Sequence, residues 1–202
     1  MFKKLQSLVI ALSAWDMSEK SLLTHVRKND DTRNIEDLLK RGFDTNVSEL
    51  GITPLMYAAG NGNANTLSIL LSYGTRVDVQ DTWGNTALHY AAGVNNSQIP
   101  LFGKRFYANE KGGGHSVPKD ADYKNCIVLL CEKRGGTINV GNKSGNTALM
   151  EAVGYPEHIK ILLTFSPDLQ ARNNKDDTAL GIARKYGMTV TEKLLIDAGA
   201  RN

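Results

Sequence analysis

Hydrophobic positions along this chain come in short paired bursts rather than long runs. The first burst of a pair is built on small residues: "TPLMYAAG" at 53–60, "TALHYAAG" at 86–93, "TALMEAVG" at 147–154 and "TALGIARK" at 178–185. The second carries a doubled aliphatic: Leu38-Leu39, Leu70-Leu71, Leu129-Leu130, Leu162-Leu163 and Leu195-Ile196. Both kinds of burst have the length and spacing of a helix with one buried face. Ser21, Thr53, Thr86, Thr147 and Thr178 stand just before the first bursts, where a hydroxyl can satisfy free helix N–H groups. Ala58-Ala59, Ala91-Ala92 and Ala152-Val153 leave room for a neighbouring helix to come close. Gly42, Gly74, Gly135 and Gly199 end four of the second helices, supplying the left-handed conformation of a C-cap. Ser166-Pro167 takes that place in the fourth copy. The pieces "TRVDVQD", "GTINVGN" and "PDLQARN" then lead, as extended chain, to the next turn.

The pairs are periodic. On an Asp-x-x-Gly-x-Thr frame, Ser48 and Asp81 lie 33 positions apart, and the same step backwards lands beside Asp16. Asn142 and Asn173 are 31 apart, whereas Asp81 and Asn142 are separated by 61, one period plus 28. Five copies follow, at about 16–47, 48–80, 81–141, 142–172 and 173–202, the third interrupted between its helices at about 98–122. A period of this length is the signature of a solenoid, in which one helix pair cannot bury its apolar face and stacked pairs can.

Period, turn chemistry and helix signatures together resemble the ankyrin repeat. The second copy carries "TPLMYAAGNGN", "LL" and "YG" in register, the third "TALHYAA", the last "LLIDAGA". The first copy lacks the Thr-Pro pair, and Asp176 replaces a turn glycine in the last. The resemblance implies an all-α fold: an ankyrin-type α-solenoid of about five helix pairs with short β-hairpin-like fingers. It also implies a non-catalytic protein-binding module. In that family partners are met by finger-tip residues and by positions just after the small-residue pair. Here those positions hold Glu49, Leu50 and Ile52; Thr82, Trp83 and Asn85; Lys143 and Ser144; Asn174 and Lys175; and Asn61, Val94, Tyr155 and Tyr186. The expected contact set is Leu50, Trp83, Asn85, Lys143, Tyr155, Lys175 and Tyr186. Trp83 is its sharpest member, because packing does not demand a tryptophan at a tip and tryptophan is a frequent interface anchor. His89 falls where the family has a structural, hydrogen-bonding histidine.

The interruption reads in two ways. Long surface insertions cost little closure entropy, so it can be a tolerated loop whose aromatics cover the neighbouring repeats. It can also be a partner-contacting arm through Phe102, Lys104, Arg105, Phe106 and Tyr107. "KGGGH" at 111–115 has no Gly-Lys-Ser/Thr ending and reads as a hinge, not a phosphate loop.

Composition adds mostly exclusions. With 24 basic and 21 acidic residues, net charge +3, charge alone argues for neither nucleic acid nor a membrane surface as partner. No apolar run is long enough to span a bilayer. The first fifteen residues, "MFKKLQSLVIALSAW", read as an amphipathic capping helix or as a cleaved secretory signal. The expected location is cytoplasmic on the first reading and periplasmic or secreted on the second. Cys126 and Cys131, five apart in one helix, point away from each other and suit no local disulfide or metal site. None of His25, His89, His115 and His158 pairs with another at ligand spacing. No cofactor or metal is expected. The expectation is a monomer that binds another protein in an inhibitory, immunity-type or scaffolding role in a bacterium or virus. The rivals are a hydrolase or redox protein using Cys126, Cys131 and His115, and a self-assembling structural scaffold.

Overall fold

A computed structural model describes residues 22–27, 32–93, 121–133 and 137–201. The 1–15 segment, Ser21, Val94, most of the 98–122 insertion with Phe102, Lys104, Arg105, Phe106 and Tyr107, His115 and Gly135 lie outside the described residues.

Residues 22–27 are helical and are followed by α1 (Thr32–Lys40), completing the first pair. The second pair is α2 (Pro54–Gly60) and α3 (Ala64–Ser72), and the third is α4 (Ala87–Ala92) and α5 (Tyr123–Glu132). The fourth is α6 (Ala148–Glu151), continued by a 3₁₀ turn at Ala152–Gly154, and α7 (Pro156–Thr164). The last is α8 (Ala179–Lys185) and α9 (Thr189–Asp197). First helices pack in one row, α2 on α4 on α6 on α8, and second helices in another, α1 on α3 on α5 on α7 on α9. The interruption does not break the stack, because α5 sits against its own α4 and between α3 and α7. This is the all-α solenoid that the repeat predicts.

Local chemistry explains the element ends. Thr53 and Thr178 accept from Met56 N (3.3 Å) and Gly181 N (3.0 Å), and Pro54 and Pro156 start helices where no N–H is needed. Gly42, Gly74 and Gly199 have positive φ as expected, and Ser166 takes the same conformation at φ +52°. Ala58, Ala59, Ala91, Ala92, Ala152 and Val153 are buried between the rows, joined by Leu67, Leu70, Ile127, Leu130, Ile159, Leu162 and Leu195 in one continuous core. The segment "GTINVGN" departs from expectation: Thr137–Asn139 forms a 3₁₀ turn instead of extended chain. Buried Thr137 takes the place there of Thr75, whose hydroxyl turns back to Leu70 O at 2.6 Å.

Candidate functional site

The finger tips form one edge of the stack, and two kinds of turn build them. The second finger closes as a two-residue hairpin: Glu49 N and O exchange hydrogen bonds with Ile52 O (3.1 Å) and N (2.9 Å). Both central residues are left-handed, Leu50 at φ +54° and Gly51 at +78°, the requirement of a primed turn. The other three fingers wrap around an Asp or Asn side chain. Asp81 Oδ1 accepts from Trp83 N and Asn85 N, both at 2.8 Å. Asn142 Oδ1 accepts from Ser144 N and Asn146 N, and Asn173 Oδ1 from Lys175 N and Asp177 N. The short polar residue on the frame thus replaces a hairpin with a side-chain-stapled loop.

Neighbouring tips are stitched together. Lys143 N donates to Trp83 O at 2.9 Å, and Asn174 N to Ser144 O at 2.9 Å. Gly84 makes the first contact possible, since a Cβ there would stand 2.7 Å from Lys143 N and its φ is +79°. Behind the tips runs a buried polar ladder. Tyr90 donates its hydroxyl to Asp81 Oδ2. Asn142 Nδ2 donates to Asn85 Oδ1 (3.0 Å) and Glu151 Oε1 (3.0 Å). Asn146 Nδ2 reaches Glu151 Oε1 (3.2 Å), and Asn173 Nδ2 reaches Asn146 Oδ1 (2.8 Å).

The expected contact residues separate on this geometry. Leu50 is 70% exposed. Lys143 and Lys175 are exposed on the same edge. Trp83 is half-buried and packs against the core with one side. Tyr155 and Tyr186 are half-buried past the first helices, Tyr155 stacked on His158 with ring centres 4.8 Å apart. Asn85 and Ile52 are corrections to the expected tip surface: both are buried. Each precedes the capping threonine, where the loop turns inward, and Asn85 spends its groups on Asp81 and Asn142. Asn61, one of the positions expected just after the first helices, is half-buried, with its amide toward Val26 O at 3.5 Å.

Two of the histidines, His89 and His158, serve the frame. His89 is fully buried; its Nδ1 accepts from Thr86 N (3.1 Å), so its Nε2–H donates to Asn146 O (2.9 Å) and ties the third repeat to the fourth. Burial pushes its imidazole down to about 4, which keeps it neutral near pH 7. His158 donates from Nδ1 to Ala92 O at 2.9 Å, and burial holds it below the ordinary imidazole range. Cys126 and Cys131 are free, and burial pushes both thiols up to about 12. They are therefore protonated and poor nucleophiles near neutral pH.

One functional-looking group was missed by sequence reasoning. Glu151 occupies the place that Tyr57 and Tyr90 hold in earlier copies and Ile182 holds in the last, and it is completely buried. A glutamate inside "TALMEAVG" was the available signal.

Among the described residues no group of three or more His, Cys, Asp or Glu is placed to hold a metal ion. Nor is any described helix long and apolar enough to cross a membrane. Residues 22–100 match the family model for ankyrin repeats (3 copies). A putative ankyrin repeat protein of Fowlpox virus, FPV115, is 29% identical over 167 residues, covering 81% of this chain and 31% of that protein. The human SH3 and multiple ankyrin repeat domains protein 2 is 28% identical over 178 residues, covering 82% of this chain and 10% of that protein. The putative ankyrin repeat protein L371 of Acanthamoeba polyphaga mimivirus is 25% identical over 182 residues, covering 82% and 24%. The chain spans under a third of the length of each of these relatives.

Proposed function

Because this chain belongs to the ankyrin repeat family, we propose that it binds a partner protein along its finger-tip edge. Ankyrin repeat proteins generally mediate protein–protein interaction. What supports this edge as the contact is Leu50. A large aliphatic side chain stands 70% exposed at φ +54°, where asparagine or glycine would fit a primed turn at less cost. A strained, solvent-facing leucine contributes nothing to the core, and such residues concentrate at functional positions. Trp83, half-buried on the next finger, and Tyr155 and Tyr186, half-buried past the first helices, are the further candidate contacts.

Lys143 and Lys175 add positive charge to the C-terminal half of the edge, whereas nearby Asp176 and Asp177 are paired with Arg172 and Lys185. The surface therefore suits a partner with an apolar anchor followed by acidic groups. Phe102, Lys104, Arg105, Phe106 and Tyr107 of the insertion are the second set of candidate contacts. An inhibitory or scaffolding role fits a module of this kind. The protonated thiols weigh against the hydrolase or redox reading.

The experiment is capture of partners from a cell extract by the intact protein, compared with Leu50→Asn combined with Lys143→Glu and Lys175→Glu. All three positions are exposed, so circular dichroism should be unchanged while capture is lost. Replacing residues 100–119 with a Gly-Ser link tests the arm separately. Capture that survives both changes defeats this reading.

A further inference from the structure

Glu151 sits where the third and fourth repeats meet. Its side chain is entirely removed from water. Oε1 accepts the Asn142 and Asn146 amides at 3.0 and 3.2 Å, while Oε2 is buried with no hydrogen-bond partner. Helix α6, which Glu151 ends, packs against α4, α8 and the Thr137–Asn139 turn. From α4 come His89, neutral and bonded to Asn146 O, and Tyr90, bonded to Asp81. From α8 come Arg184 and Lys185, both exposed and engaged with Glu192 and Asp177. The 137–139 turn has no ionisable side chain. On α7, Lys160 is paired with Glu157, and His158 is bonded to Ala92 O. Lys143, at the adjoining tip, is exposed. Among the described residues, no cation stands within ion-pair distance of Glu151. A carboxylate here would therefore have one oxygen accepting from two neutral amides and the other buried without a hydrogen-bond partner, an arrangement that favours the neutral acid.

We propose that Glu151 carries its proton in the folded protein and forms a pH-sensitive joint between the third and fourth repeats. Burial pushes this carboxyl from 4.5 up to about 7, with the Asn146 and Asn142 amides pulling the other way. Loss of the proton places charge on the ladder that also positions Asn142, one residue before the Lys143 N–H bonded to Trp83 O.

The sign follows from linkage. Below about 4.5 the acid is protonated folded and unfolded, and the Glu151 contribution to the joint is at full strength. As pH rises toward 7 the unfolded chain releases the proton while the folded protein holds it. The unfolding constant then climbs about tenfold per pH unit, on the order of a hundredfold in all, and levels off above 7. His89 acts with opposite sign between 6.5 and about 4, so raw profiles mix the two.

The experiment is urea unfolding of the full chain and of Glu151→Gln from pH 4.5 to 8. Glutamine keeps the acceptor for both amides but cannot ionise, and His89 cancels in the comparison. The ratio of the two unfolding constants should change on the order of a hundredfold across the window. A constant ratio overturns the proposal. The carboxyl ¹³C titration of the unsubstituted protein decides independently, even if Glu151→Gln does not fold. One glutamate should titrate near pH 7, and a protein whose glutamates all titrate below about 5 overturns it.

Discussion

The second finger and the three that follow it solve the same problem with different chemistry. At the frame position the second finger has Ser48, exposed, and it closes through backbone hydrogen bonds between Glu49 and Ile52. The later fingers have Asp81, Asn142 and Asn173, whose side chains staple the loop, and Asn142 and Asn173 also reach back to the preceding repeat. The residue before the capping threonine changes in step: Ile52 is a buried apolar contact, whereas Asn85 and Asn146 are buried rungs of a polar ladder. An apolar joint tolerates small errors of register, while a hydrogen-bonded one penalises each broken partner. The stack is therefore tolerant where it begins and exacting where the insertion interrupts it.

The exacting joint breaks most severely at Gly93. A Cβ there would stand 2.2 Å from Glu151 O, against 3.0 Å from Asp81 Cα for the nearest contact at Gly51. Gly93→Ala should cost about 3 kcal/mol or more, because the obstacle is backbone that cannot swing away. Equilibrium urea unfolding measures it. A loss under 1 kcal/mol would mean that the third and fourth repeats are not held at this spacing.

The His89 contact at the same joint should be sensitive to acid. His89 is neutral when folded, and its value is pushed down to about 4 by burial. Its depressed value means that the stability tied to the neutral ring is present above 6.5 and is lost as pH falls from 6.5 toward 4. The full loss is about 3 kcal/mol. The corresponding residues are Met56 in the second copy and Met150 in the fourth. Because Glu151 acts with opposite sign over nearly the same range, the comparison is with His89→Met. The ratio of the parent's unfolding constant to the variant's should climb as pH falls from 6.5 toward 4, and a constant ratio would assign the acid loss elsewhere.

Asn142 tests the ladder directly. Its amide donates to Asn85 and Glu151, and its Oδ1 accepts from Ser144 N and Asn146 N. Asn142→Ala strands several buried partners and should cost about 2 kcal/mol. Ser48→Ala, at the same frame position, should stay within about 0.5 kcal/mol. Equal costs would erase the distinction between the two kinds of finger.

What was legible in the sequence was local. Helix pairs, N-cap threonines and terminal glycines each depend on neighbours a few residues away, so their pattern survives in one dimension, although Thr53 and Thr178 bond a helix N–H and Thr147 stands at the N-cap without such a bond. That holds for Ser166, which takes the glycine conformation as its position predicts. The orientation of Ile52 and Asn85 was not legible, because the frame marks both as tip positions and only the path of the folded loop turns them inward. Glu151 was hidden for a related reason. A lone glutamate in a helical run suggests a wet face, and the Asn142 and Asn146 amides that receive it come from the loop ahead of α6.

The smallest expected effect separates stability from binding. Leu50 at φ +54° occupies a turn position that asparagine fits with less strain, and at 70% exposure it gives up little burial when replaced. Leu50→Asn should raise stability by about 0.5 kcal/mol, visible as a slightly higher urea midpoint. The same change should weaken partner capture, since it removes the most exposed apolar group on the tip edge. A variant that is less stable would show that the leucine is a packing residue whose burial outweighs its strain. One that is more stable and captures partners as well as the parent would leave the strain in place but remove its functional explanation.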